Sequence, residues 1–209
     1  MRKRAGIILV ILGALCIAGA LGLAIHNWIE SSNAGSESEQ RVTALEDYMN
    51  REIDPSRVST IDTKDAETDE DSDPVVYLDG YDYIGYIEIP AIKLKLPVMA
   101  TWDYERLNLA PCRQFGSAKD RNLVIAAHNF DTHFGKLGTL IDGDSVTFTG
   151  IDGTEYDYEV VMHKVVEPTE VEAVTESSHD LVLYTCTKGG ERRIAVFCDL
   201  AEDSAKSKK

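Results

Sequence analysis

The 209-residue sequence is poor in cysteine, with four residues of this type and no CxxC pair. Zinc sites usually draw on closely spaced cysteines and histidines, so these four do not match such a site. They are also too few, in a domain of this size, for a scaffold held by disulfides. Basic residues are scarce as well: 21 Lys and Arg stand against 36 Asp and Glu, and the formal net charge is −15. A chain of this charge repels phosphates, so we expect no nucleic-acid partner.

One apolar segment without a charge lies near the N-terminus, between Ala5 and Ile25. At about 1.5 Å per residue, a helix of some 20 residues matches the roughly 30 Å hydrocarbon core of a bilayer. The basic residues Arg2–Arg4 precede the segment and an acidic stretch follows it, which keeps the N-terminus in the cytoplasm by the positive-inside rule. Residues 1–29 are therefore predicted to be a single-pass anchor in the cell membrane, with the rest of the chain extracellular.

Two other interpretations of this segment exist. Ala18-Gly19-Ala20 has the A-x-A form of a signal-peptidase site, but the apolar run is longer than a usual signal-peptide core and continues past that site. Cys16 suggests a lipoprotein, but the bulky Leu15 precedes it where a small residue is needed. The uncleaved anchor is the favoured interpretation.

Residues 30–74 are rich in Ser, Asp, Glu and Thr and poor in aromatic residues. Such a composition cannot bury enough apolar surface to fold alone, so we predict an extended, self-repelling acidic stalk. Val42, Leu45 and Met49 recur at helical spacing, which indicates a short amphipathic helix over Glu39–Glu52. Residues 203–209 are predicted to be a polar tail.

Between residues 75 and 202 the hydrophobic pattern has a period closer to 2 than to 3.6, which is typical of half-buried strands. Roughly 130 residues are enough for one domain with an ordinary core. Helical patterns are confined to Tyr104–Cys112 and Thr132–Leu140, so no crossover helices alternate with the strands. We therefore predict an all-β domain that forms a closed or nearly closed antiparallel barrel. Its clearest predicted strands are 122–127, 145–149, 155–166, 181–185 and 193–200.

Three chemically suited side chains stand at the ends of predicted strands. Cys186 and His128 each directly follow a strand, and Arg193 opens the last one. A thiol, an imidazole and a guanidinium placed in this way can serve as nucleophile, proton carrier and oxyanion partner. A thiol has an ordinary pKa of about 8.5, so a neighbour such as His128 has to activate it. The pattern predicts a cysteine-dependent acyl-transfer enzyme with these three residues as catalytic residues.

Other residues compete for these roles. Cys198 alternates with apolar residues and is expected in the core, whereas Cys112 is expected in a helix-like loop; a disulfide between the two is conceivable. Arg192 competes with Arg193, although adjacent side chains of a strand point to opposite faces.

A metal site is a further alternative for the imidazole. His133 follows His128 in the same loop, and Asp131 lies between them. No third His or Cys stands close by in the sequence, so we predict no metal ligands.

Several short motifs follow one another along this domain. They are Ala126-Ala127-His128-Asn129, then Phe134-Gly135-Lys136-Leu137 before Gly143-Asp144, and finally Leu183-Tyr184-Thr185-Cys186 before Arg193. In this order and spacing they closely resemble the sortase transpeptidases of Gram-positive bacteria. The resemblance extends over most of the predicted barrel. Its most specific element is Leu-x-Thr-Cys on one strand, with Arg opening the next strand and His upstream.

The resemblance implies a closed eight-stranded barrel in which Cys186 attacks the Thr–Gly carbonyl of an LPxTG-like sorting signal and forms a thioacyl enzyme. An amine from a peptidoglycan precursor or a pilin lysine would then resolve it. His128 would transfer protons, Arg193 would bind substrate and stabilise the oxyanion, and Thr185 would contribute to substrate binding. The implied partners are secreted proteins with a C-terminal sorting signal, the amine acceptor and the membrane. No cofactor is implied.

Departures from the family leave its subclass open, housekeeping or pilin-polymerising. Calcium-stimulated members carry several carboxylates in the loop before the His strand, whereas Phe115–Arg121 contains only Asp120. We therefore predict no calcium dependence. Two alternative functions remain at this point: an anchored extracellular binding module without catalysis, and a plain cysteine endopeptidase.

Overall fold

The structure is a computed structural model, and it describes residues 2–52, 73–170 and 172–201. Residues 53–72 of the predicted stalk and the predicted tail, 203–209, lie outside the described residues. Contacts between residues divide the chain into two compact units, Met1–Asn33 and Ala34–Lys209.

The first unit is helical and belongs to α1, which extends from Arg2 to Glu52. The predicted anchor, Ala5–Ile25, falls in this unit, and the side chains of residues 1–10 lie outside the described part of the chain. The large apolar side chains between Ile11 and Ile25 are exposed. Among the residues described, no helix combines the length and the apolar character needed to cross a membrane.

The second unit contains, within the described residues, one sheet of nine strands. These are β1 (Val76–Leu78), β2 (Tyr81–Ile89), β3 (Leu94–Met99), β4 (Cys112–Phe115), β5 (Leu123–Ala126), β6 (Ser145–Gly150), β7 (Glu155–Val166), β8 (Leu181–Cys186) and β9 (Arg193–Leu200). The strand order is β1-β2-β3-β4-β5-β8-β9-β7-β6, and a further pairing of β6 with β2 closes the circle. Strands β2 to β9 therefore form a closed eight-stranded barrel, which confirms the predicted closure and strand number, and β1 extends the sheet beside β2.

The barrel closes where β2 changes its partner. The first residues of β2 pair with β1, and β2 pairs with β6 from Gly85 to Glu88. Gly85 has a φ of 153°, and a Cβ at this position would lie 2.0 Å from the carbonyl oxygen of Thr149 in β6. A side chain cannot occupy that space, so closure at this point requires glycine.

Two strand pairs are parallel, which corrects the predicted antiparallel barrel. β3 pairs with β4 and β5 pairs with β8 in this way, while the other described pairs are antiparallel. Side chains alternate between the two faces in parallel and antiparallel strands alike, so the hydrophobic period carries no information on direction. The hairpin of β6 and β7 separates β5 from β8 in the chain and supplies the connection that a parallel pair needs.

The two predicted helices are shorter than expected. Asp103 caps α2 (Tyr104–Leu107) by accepting a hydrogen bond from the backbone N–H of Arg106 at 2.7 Å. The chain then passes Pro111 into β4, a strand that the sequence pattern did not reveal because four residues are too few to show an alternation. The other predicted helix is a 3₁₀ helix, Phe134–Thr139. Two further short helices are a 3₁₀ helix, Pro90–Ile92, between β2 and β3, and α3 (Glu172–Thr175), between β7 and β8.

Apolar side chains cover both faces of the barrel wall formed by β5, β8 and β9. Alternate residues face the interior, where they pack with Ile84, Ile87, Leu96, Phe134, Leu137 and Phe148. The residues between them form an outer cluster, which we define as Val124, Val174, Val182, Tyr184, Ala195 and Phe197. Because Val174 belongs to α3, the connection between β7 and β8 covers this part of the outer face.

The second half of α1 packs against the barrel. Val42, Leu45 and Met49 are buried, and Leu45 belongs to a cluster with Tyr83 and Met99 among others. Glu46 adds a hydrogen bond from Lys95 Nζ in β3, at 2.6 Å. This confirms the amphipathic helix predicted over Glu39–Glu52. Residues 34–52 are not extended stalk, because the apolar face of the helix gains more from burial than the acidic residues lose by mutual repulsion.

Truncation of the buried helix face is expected to destabilise the whole domain. Leu45→Ala removes a fully buried side chain and should lower the free energy of unfolding by about 2–5 kcal/mol. Chemical denaturation of the full chain measures this change. Asp47→Ala, on the exposed face of the same helix, is the control and should stay within about 0.5 kcal/mol of the unchanged protein. Equal stabilities for both variants would contradict the contribution of α1 to the core.

Candidate active site

Three adjacent strands bring the predicted catalytic residues into one row. In the parallel pair of β5 and β8, Ala126 lies opposite Tyr184. His128 and Cys186 each come two residues later, so they lie at the same end of the two strands. Cys186 is in turn the register partner of Arg193 in β9. Neighbouring strands are about 4.8 Å apart and register partners share a face, so the row lies on the outer face of the barrel, next to the outer cluster.

Hydrogen bonds tie the two chain segments of the row together. The backbone N–H of Ala127 donates to the carbonyl of Tyr184 at 3.2 Å. The buried Thr185 hydroxyl donates to the carbonyl of Ala127 at 2.8 Å. Beyond the strands, Asn129 Nδ2 donates to the carbonyl of Thr187 at 3.0 Å. Thr185 and Ala127, which precede Cys186 and His128, are thus hydrogen-bonded to each other. Thr185 therefore positions Cys186 and His128 in addition to lining the pocket.

His128, Cys186 and Arg193 line one pocket of about 330 Å³. One part of the wall comes from the segment between β3 and β4, and another part from the end of β7 and the connection between β7 and β8. The wall residues are Trp102, Tyr104, Leu107, Val166, Glu167, Pro168, Glu170 and Val174. The pocket therefore combines three reactive polar groups with largely apolar walls. The sequence analysis missed these wall residues, because all of them except Val166 lie in connections, where no periodicity marks them.

Burial distinguishes Cys186 from the other two cysteines of the barrel. Cys186 is partly exposed in the pocket, whereas Cys112 and Cys198 are fully buried. Burial raises the pKa of the Cys112 thiol to about 12 and also raises the pKa of Cys198. Among the described residues all four cysteines are free, so the conceivable disulfide is not formed. Cys112 lies on β4 and not in the predicted helix-like loop.

In the loop after β5, the ring of His128 belongs to a series of ring contacts with Phe130 and His133. The His128 ring stacks on Phe130, with centroids 4.8 Å apart and planes at 16°. Phe130 also contacts the ring of His133, at 5.6 Å. His133 is fully buried, and its Nε2 lies 3.3 Å from the Ser38 hydroxyl of α1. In the described ranges no three His, Cys, Asp or Glu side chains are grouped to hold a metal ion, at His128 and Asp131 or elsewhere.

The two adjacent arginines point in different directions. Arg193 lines the pocket, and its Nη1 donates to the carbonyls of Gly190 and Arg192 at 3.1 and 3.2 Å. Arg192 is exposed, and its Nε lies 3.0 Å from Glu167 Oε1. This placement follows from strand alternation and brings Arg193, rather than Arg192, next to Cys186.

Solved structures share this fold. The sortase C of Streptococcus pneumoniae has a TM-score of 0.54 and 22% sequence identity, and the match covers 78% of this chain and 91% of that chain. The sortase C of Clostridium perfringens, solved with the C-terminal cell wall sorting motif, has a TM-score of 0.53 and 23% identity, covering 78% and 90%. These similarities show a common fold.

Sequence comparison identifies the family in addition to the fold. Sortase A of Bacillus anthracis is 28% identical over an alignment of 209 positions, and the alignment covers 96% of this chain and 94% of that protein. A family model described as the sortase domain matches residues 87–201. Because this match covers more than half of the chain, the protein belongs to the sortase family and is a cysteine transpeptidase.

Proposed function

We propose that this sortase cleaves an LPxTG-like sorting signal between Thr and Gly and joins the new carboxyl end to an amine. The observation that carries the proposal is that Cys186, His128 and Arg193 line one pocket. Two relatives of the same fold add support, since one was solved with a cell wall sorting motif and the other is described in terms of pilin substrate specificity.

In the first step, the Cys186 thiolate attacks the carbonyl carbon of Thr in the signal. The carbonyl oxygen becomes an oxyanion, and the permanently charged guanidinium of Arg193 stabilises it. The C–N bond then breaks, and the imidazolium of His128 gives its proton to the departing Gly nitrogen. The product of this step is a thioester between the Thr carbonyl and Cys186.

In the second step, an amine attacks the thioester. His128, now neutral, accepts the proton of the attacking nitrogen, and the C–S bond breaks to release Cys186 as a thiolate. The acceptor is a peptidoglycan precursor or a pilin lysine. The apolar walls formed by Trp102, Leu107 and Val174 suit the Leu and Pro side chains of the signal, as is usual for small ligand pockets.

The proposal also includes the location of the enzyme. The apolar residues from Ala5 to Ile25 form a single-pass anchor, which keeps the barrel on the outer side of the cell membrane, where secreted substrates pass. The exposed apolar side chains between Ile11 and Ile25 support this assignment, because large exposed apolar surfaces are rare in water.

Substitutions in the row test the mechanism. Cys186→Ala should abolish cleavage, and Arg193→Gln should lower kcat about 10²–10³-fold, as expected for loss of an oxyanion partner. Arg192→Gln removes an equal charge from the neighbouring position and is the matched control, with kcat close to that of the unchanged enzyme.

Cleavage is followed with a small library of LPxTG, NPxTG and related peptides. Products are compared with and without an added amine: a new amide supports transpeptidation, whereas hydrolysis in both cases indicates an endopeptidase.

Selective labelling tests the assignment of the nucleophile. In a Cys16→Ser background, a methanethiosulfonate reagent near pH 7.5 should modify about one thiol per chain, at Cys186, because buried thiols with raised pKa values react slowly. Adding Cys186→Ala should remove almost all of this labelling, whereas denaturant should expose Cys112 and Cys198. Labelling of Cys112 or Cys198 in the native protein at the rate of Cys186 would contradict the assignment.

Fractionation tests the anchor. The full chain should stay with membranes after carbonate washing, and its mass should match an intact N-terminus. Leu15→Arg should shift protein out of this fraction, because an arginine at the centre of a membrane helix costs roughly 2.5–3.5 kcal/mol, whereas Leu15→Ala should not. Released protein that begins after Ala20 would instead indicate a cleaved signal peptide.

A further inference from the structure

The helix that precedes the barrel reaches the loop that carries His128. Ser38 of α1 is fully buried, and its hydroxyl donates to the carbonyl of Leu109 at 3.1 Å. Its oxygen lies 3.3 Å from Nε2 of His133. A hydroxyl has a single proton, which is given to Leu109, so Ser38 accepts a hydrogen bond from the Nε2–H of His133. The helix and the loop are therefore joined by a buried polar contact.

Close packing accompanies this contact. A Cβ at Gly35, one helical turn before Ser38, would lie 2.8 Å from Cγ2 of Thr132. The helix backbone therefore approaches the loop more closely than a side chain would allow. Glycine in a helix interior is less stable than alanine, and at Gly35 it allows the close approach of the helix to Thr132.

A series of ring contacts continues from His133 to His128. Phe130 lies between the two imidazoles, with centroid distances of 4.8 Å to His128 and 5.6 Å to His133. The backbone supports the same arrangement, because the carbonyl of Phe130 accepts hydrogen bonds from the N–H groups of His133 and Gly135, both at 2.9 Å. A displacement of His133 would therefore be transmitted to Phe130, and from there to the ring of His128.

We propose that Ser38, His133 and Phe130 are positioning residues, which together hold the imidazole of His128 in place beside Cys186. This inference rests on the proposed role of His128 in proton transfer. None of the three lines the pocket, so their contribution should appear in kcat and not in KM. Through Ser38, α1 then supports the loop that carries His128, in addition to packing against the barrel.

The test uses the full chain and steady-state kinetics with the best sorting peptide. Ser38→Ala and Phe130→Leu should each lower kcat about tenfold, because a small misplacement of a catalytic group is costly, while KM stays unchanged. The double variant should fall little below the single ones, since residues that act as one unit are not additive. Phe130→Tyr keeps the stacked ring and should retain most of kcat.

Met49→Ala is the matched control for the stability of the helix. Met49 is buried on the same helix but lies outside this series of contacts, so the variant should be less stable yet retain kcat under native conditions. A loss of kcat in Met49→Ala equal to that in Ser38→Ala would overturn the proposal, because helix docking alone would then explain both. If Ser38→Ala does not fold, the comparison of Phe130→Leu with Phe130→Tyr decides, and equal kcat values for these two would overturn the proposal.

The role of His128 is tested separately. If His128→Ala abolishes cleavage while Ser38→Ala and Phe130→Leu keep the kcat of the unchanged enzyme, the positioning role is wrong and the proposed function stands. If His128→Ala leaves cleavage intact, the proposed mechanism itself fails, and the positioning role fails with it.

Discussion

The parallel pairing of β5 with β8 is the contact on which the site depends. Both strands end at the same edge, so Cys186, the last residue of β8, and His128, two residues beyond the end of β5, become neighbours. In an antiparallel pair of the same lengths they would lie at opposite ends, separated by roughly 13–20 Å at about 3.3 Å per residue. The hydrogen bond from Thr185 to the carbonyl of Ala127 holds this register next to the reactive groups. Strand β9 then adds Arg193 as the direct partner of Cys186.

The two faces of the barrel wall formed by β5, β8 and β9 have different roles. One face contributes to stability and the other carries the reactive side chains. The interior face is filled with apolar side chains, and it buries Cys198 among them. The outer face carries Cys186, which stays partly exposed in the pocket. A thiol that reacts needs access to substrate and to a proton carrier, and a buried thiol such as Cys112, with its pKa raised to about 12, has neither. Burial, and not residue type, therefore distinguishes the proposed nucleophile from the two buried cysteines.

The connections around the wall give the site its shape and its support. The segment between β3 and β4 and the connection between β7 and β8 form parts of the pocket wall, and α3 covers the outer cluster. On the side of His128, the support comes from α1, through Ser38 and the buried His133. A rigid sheet fixes the positions of the strand ends, but a side chain in the loop beyond a strand needs neighbours of its own. The packing of Phe130 between two imidazoles meets this need.

The sequence by itself determined the alternating pattern of β7, the apolar runs of β8 and β9, the barrel class, and the three residue types suited to acyl transfer. Hydrophobic alternation and strand-end chemistry are local properties, which any reader of the chain can recognise. It did not reveal the parallel direction of β5 and β8, the short strand β4, the walls of the pocket or the contact between Ser38 and His133. These features depend on pairing between residues far apart in the chain, and many pairings satisfy the same local pattern. Only the tertiary structure decided among them, because closing the barrel leaves one register in which all strands bury their apolar face at once.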